Sequence, residues 1–268
     1  MFENQVIMTV LLNFISILVI ALIVVIWRAK QPMTAKKLIR TVKKLVKPTQ
    51  HDPYKDDFCK KRMMLEFLEQ DASNERTICS LLIDWYNKKY ISLEKTPKKK
   101  LKSFGEENQN SIVFLNRIPK MNDGAEKMLF DCLSDLADET DILQESELYQ
   151  TVRSNHTIIL QRIEQFEVQG KHSLRASGDI EDEKKSKHFG LDDSRRTIFT
   201  QKGIRNATEL LGYKEWVKES KDLDKILWYD AVLLEAEYLI TDNQLLLIAK
   251  SISKAIVSAV KAGEESQK

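Results

Sequence analysis

Three cysteines and four histidines are the residues with which this chain could bind a metal or attack a substrate, and their spacing favours neither. Cys59, Cys79 and Cys132 form no C-x-x-C pair, and each falls within a segment of helical periodicity. Thiols so spaced read as reduced, partly buried side chains. His51, His156, His172 and His188 never occur as H-x-x-x-H or H-E-x-x-H, the spacings that place two ligands on one helical face. Asp179, Glu181, Asp182 and Glu183 precede His188 and can be drawn as a metal site, but a solvated acidic loop explains them more simply. The patterns G-x-x-x-x-G-K-[ST], G-x-G-x-x-G and G-x-S-x-G are missing, so neither a phosphate-cradling loop nor a nucleophile elbow is expected. No catalytic residue, cofactor or metal is assigned, and the chain does not read as an enzyme.

The remaining chemistry is positive charge. Lys95, Lys98, Lys99, Lys100 and Lys102 put five cations into eight residues, where the wing of a winged helix would lie against phosphates. The helix before them would offer Ser80, Asp84, Asn87 and Lys88 outward; a carboxylate in the middle of that face meets the DNA groove at a cost. A second basic run, Arg28, Lys30, Lys36, Lys37, Arg40, Lys43, Lys44 and Lys47, follows Trp27 and contains no acid. With Trp27 as an interfacial aromatic, these side chains are expected at a membrane surface, against anionic headgroups.

The elements that would position these groups follow from patterning. At 268 residues, 43% hydrophobic and 31% charged, the chain suits one large or two small folded domains. Residues 1–47 carry eight basic and one acidic side chain, a charge of +7, and the remainder stands at −5. Val6–Trp27 is 22 residues without a charge, about 33 Å of helix, enough for one transmembrane crossing. The basic flank on its C-terminal side predicts a single-pass cell-membrane protein with the N-terminus outside and the C-terminus in the cytoplasm. Thr9, Asn13 and Ser16 share one face of that span and are candidates for self-association into a homodimer. Residues 33–47 then read as a short helix with an apolar stripe of Leu38, Val42 and Leu45.

Beyond a linker at 48–54, periodicity predicts helices at 55–70 and 75–89, a strand at 90–95, a lysine-rich turn and a second strand at 111–118. Helix, helix, strand, basic turn, strand is the order of a winged helix. Helical patterns follow at 121–137 and 143–168, with an exposed loop at 170–193 and a short strand at 196–200. The 201–221 helix is expected to break near Gly212, since an interior glycine costs about 1 kcal/mol. Helices at 224–240 and 243–262 complete the chain. The expected organisation is therefore a stub and span at 1–27, a basic helix and linker at 28–54, and a winged-helix-like module at 55–120. A mostly helical module at 121–262 and a tail at 263–268 follow. The fold class is α+β and helix-rich, with one transmembrane helix and one or two winged-helix-like modules.

TICSLLIDWYNKKYISLEK (77–95), FTQKGIRNATELLGYKEWVKES (199–220) and LWYDAVLLEAEYLI (227–240) occur in an order that resembles the cytoplasmic region of the YciQ-like predicted membrane proteins, a domain of unknown function. The resemblance covers most of residues 48–256. It implies a membrane-tethered cytoplasmic region with winged-helix-like parts, supplies no catalytic residue, and suggests a LemA-type membrane protein as partner. That family usually places a large extracytoplasmic domain before the span, where about five residues stand in this sequence, and its closing-helix tyrosines are replaced by Ala231 and Leu234. The expected function is a protein-interaction or adaptor module at the inner face of the membrane. The alternatives are a tethered winged-helix regulator that binds DNA and an enzyme without a recognisable motif.

Overall fold

The computed structural model describes Val19 and residues 33–97, 108–121, 124–184, 195–220 and 226–267. Among the elements with described bounds, α1 (Ala35–Val42) is followed by α2 (Phe58–Phe67) and α3 (Asn74–Asn87). Each of these last two begins where a side chain caps it: the Asp57 carboxylate accepts from the Lys60 amide, and the Ser73 hydroxyl from the Arg76 amide. The strands β1 (Ile91–Pro97) and β2 (Asn108–Phe114) pair antiparallel, with Ile91 opposite Phe114 and Leu93 opposite Ile112. Next come α4 (Ala125–Asp135), β3 (Ile142–Gln144), α5 (Glu145–Ser154) and α6 (His156–Ala176). A second hairpin, β4 (Ile180–Lys184) with β5 (Arg195–Phe199), leads to α7 (Gln201–Glu219), α8 (Trp228–Leu233), a 3₁₀ turn at Glu237–Leu239, and α9 (Asn243–Glu265).

Among the described residues the order helix–helix–strand–strand therefore occurs twice, as α2-α3-β1-β2 and as α5-α6-β4-β5. The two copies are joined through β3, whose three residues extend the first hairpin into a sheet of order β1-β2-β3. One apolar core runs through both. The long helix α9 packs on α3, α5, α6 and the first sheet, with Leu245, Ile248, Ile252, Ile256 and Ala259 buried along one side. Such a stripe, repeating every three to four residues, is what sets an amphipathic helix against a core.

The membrane part of the expected architecture is corrected. No helix among the described residues is long and apolar enough to cross a membrane, and the architecture they support is helix-rich α+β with small sheets. The single transmembrane helix and the single-pass cell-membrane localisation are not supported; Val19 apart, the run on which they rested lies outside the described residues. Thr9, Asn13, Ser16, Trp27, Arg28 and Lys30 lie outside them too.

Several local expectations also change. Leu38 and Val42 are fully buried, with α1 packed on α7 and β5, so only Leu45 of the expected stripe is exposed. Helix α7 runs through Gly212 without a break because that glycine serves a contact: a Cβ there would stand 2.3 Å from the Lys47 carbonyl, and the Thr49 amide donates to the Gly212 carbonyl at 3.1 Å. The segment expected as a loop from residue 170 is the end of α6 followed by β4. Gly170 lies inside that helix where it crosses α2, and a Cβ would meet the Cys59 carbonyl at 2.4 Å. The helix expected at 224–240 is cut after α8, where Glu235 takes φ +63° and its carboxylate receives Lys214 and Lys218.

Candidate functional site

Helix α3 is the element that would read DNA if the first hairpin were a wing, and it lies inside the body. Its residues from Thr77 to Trp85 are all buried, packed against α8 and α9. Of the face expected outward, Ser80 donates to the Arg76 carbonyl, Asp84 is covered and paired with Lys88 at 2.5 Å, and only Asn87 and Lys88 reach solvent. Lys95 is exposed on β1, and Lys98, Lys99, Lys100 and Lys102 lie outside the described residues.

Between the N-termini of α2 and α4 and the end of α3 lies a cleft of about 540 Å³ lined by Asp57, Asp84, Lys88, Lys120, Glu126 and Tyr229, among others. Burial pushes the Asp84 carboxyl above the ordinary range even though Lys88 donates to it. Burial opposes the Lys88 charge, but Asp84 and Glu126 together hold its ammonium above the usual lysine value. The Glu126 carboxylate also accepts from the Trp85 indole at 3.0 Å. Within the cleft, Asp84, Lys88 and Glu126 are thus spent on one another.

A second feature was missed in the sequence. Lys61 is completely buried, its ammonium 2.6 Å from both Asp52 and Asp230. Tyr213 donates to the other Asp230 oxygen at 3.1 Å, and the rings of Tyr229 and Tyr213 lie 4.9 and 5.6 Å from the ammonium. Desolvation outweighs the attraction of Lys61 and brings the Asp230 pKa up to about 6. This cluster ties the 48–54 linker, α2, α7 and α8 together. A signal did exist: Lys61 occupies the stripe of Phe58, Leu65 and Leu68, so a lysine stood where an apolar residue was due.

The thiols are quiet. Burial lifts both Cys59 and Cys79 to about 12, and it raises Cys132 as well. The acidic stretch divides: Asp179 is buried, accepting from Asn206 at 2.7 Å and Ser177 at 2.5 Å, while Asp182 accepts from Arg175 at 3.0 Å. Among the described residues no group of three or more His, Cys, Asp or Glu side chains could hold a metal. His188 lies outside them.

A groove of about 320 Å³ separates α4 from α6, lined by Met128, Cys132, Leu136 and Ile158 with Asp135 and Arg162 beside them. Met128 and Ile158 are 40% and 47% exposed, far more than the core requires. On the opposite side of the chain's order, Lys36, Lys37, Arg40, Lys43, Lys44 and Lys47 are all exposed on α1 and the turns after it. No family model, curated protein or solved structure matches the chain.

Proposed function

We propose that this protein is an interaction module that receives a partner helix in the α4–α6 groove. The observation that carries this reading is the pair of exposed apolar side chains, Met128 and Ile158, facing one groove from two neighbouring helices. Met128 and Cys132 along α4 and Leu136 just past its end recur at intervals of four, as do Ile158 and Arg162 along α6. Such spacing accepts an amphipathic helix through anchors one turn apart. Methionine, unbranched and polarisable, adapts to differing partner side chains. Asp135 and Arg162 supply opposite charges that would orient the guest. The resemblance to the YciQ-like proteins is proposed alongside this function and names no reaction for it.

Placing a photo-crosslinking residue at Ile158 in the full chain tests the reading in cells. A discrete crosslinked protein is expected, and Met128→Glu should reduce its yield at least tenfold without lowering the melting temperature, since one buried hot-spot contact is worth about 2 kcal/mol. A yield unchanged by Met128→Glu refutes the groove as the docking site.

A further inference from the structure

The cations of α1 work against the fold that carries them. The helix is eight residues long, with no acidic residue in its first turn, where Lys36 and Lys37 stand instead. The positive end of the helix dipole disfavours cations there. Lys36 and Arg40, Arg40 and Lys44, and Lys43 and Lys47 are like charges four residues apart; within α1, where Lys36 and Arg40 both lie, that spacing is itself repulsive. Among the described residues none of Lys36, Arg40, Lys43, Lys44 and Lys47 makes an ion pair. The apolar side of α1, Leu38, Ile39 and Val42, is buried against the body, which turns Lys36, Lys37 and Arg40 to the opposite, solvent side. The backbone carrying the array is held at both ends: the Phe199 amide donates to the Met33 carbonyl at 2.8 Å, and the Thr49 amide to Gly212 at 3.1 Å.

Dipole compensation would need cations only at the C-terminal end, and solubility would not need a sequence run from 28 to 47 without an acid. Leu45 lies amid the array and is 54% exposed. An apolar side chain among lysines gains from the boundary between headgroups and acyl chains and gains nothing from a nucleic-acid backbone.

We propose that Lys36, Lys37, Arg40, Lys43, Lys44 and Lys47, with Leu45 among them, form a preassembled docking surface for anionic phospholipid headgroups. The contact is with the headgroup layer and involves no passage of these residues through a bilayer. It shares no lining residue with the α4–α6 groove and does not rest on that groove's having a partner.

The test is vesicle co-sedimentation of the full chain at low salt, comparing phosphatidylcholine vesicles with vesicles in which roughly one-third of the lipid is phosphatidylserine. Stronger binding to the anionic vesicles is expected. Replacing Lys36→Gln and Arg40→Gln together should weaken it about 25-fold, near fivefold per cation removed. Replacing two exposed lysines of α9, Lys254→Gln and Lys261→Gln, should change it less than twofold. Leu45→Ser should weaken vesicle binding and leave any binding to duplex DNA unchanged. Equal affinity for the two vesicle types, or binding indifferent to the Lys36/Arg40 pair, overturns the proposal. Tighter binding to duplex DNA than to anionic vesicles, lost with the same two cations, overturns it in favour of a nucleic acid.

Discussion

Asp230→Asn isolates the buried ion cluster with almost no change of shape. In the native protein the carboxylate is fully buried, holds Lys61 at 2.6 Å and accepts from Tyr213 at 3.1 Å. Asp52 faces the same ammonium from the linker, and the Tyr213 and Tyr229 rings flank it. Burial raises the Asp230 pKa from 3.8 to about 6, against the pull of Lys61. Between these values the unfolded chain has released the proton while the folded chain keeps it, so native stability must fall as pH rises. The interval of about two pH units at 1.36 kcal/mol each corresponds to about 3 kcal/mol, complete once the pH passes the folded value. With both groups buried, solvent screening removes little of it. Urea unfolding of native and Asp230→Asn protein at pH 4, 5, 6 and 7 gives the comparison directly. The native-minus-variant difference in unfolding free energy should decline by about 2 kcal/mol from pH 4 to 7, most of it below pH 6. A flat difference, or one that grows with pH, would show that Asp230 is ionised throughout and that Lys61 outweighs desolvation. Lys61→Met removes the cation from two carboxylates at once and should cost about 3–5 kcal/mol at pH 7.

Other consequences are simpler to measure. Gly170→Ala forces a Cβ to 2.4 Å from the Cys59 carbonyl, a backbone atom that cannot swing away, and should lower stability by about 1–3 kcal/mol in urea. Glu69 ends α2 at φ +53° with its side chain exposed; Glu69→Gly should therefore raise the melting temperature, by relief of about 1 kcal/mol of left-handed strain. In the folded protein at pH 8, Cys59 and Cys79 should resist a thiol reagent, and only the half-buried Cys132 should react, slowly; rapid labelling of more than one thiol per chain would contradict their burial. Ser73→Ala and Thr200→Ala each delete an N-cap acceptor and should cost about 1 kcal/mol.

What was legible in the sequence was local. The stripe of α9 and the alternation of β1 arise from neighbours within a turn or two, so periodicity finds them. The exposed cations of α1 were legible for the same reason, as was the quiet chemistry of the thiols. The expected span was read from an uncharged run of 22 residues and its basic flank, and no described helix corresponds to it.

Tertiary structure decided the rest, because the deciding partners are distant in the chain. Three residues at Ile142–Gln144 become a strand only because β2 offers them an edge. Gly212 sits within an unbroken helix because a carbonyl 165 residues earlier needs the space of a missing side chain, and Lys61 is buried because Asp230, 169 residues away, lies 2.6 Å from it. Helix α3 carries polar residues suited to an outward face and nevertheless loses that face to α8 and α9. Local propensity amounts to a few tenths of a kcal/mol per residue, whereas each of these long-range contacts is worth several times that. Where the two disagree, packing and buried charge prevail, and patterns within a few residues cannot register either.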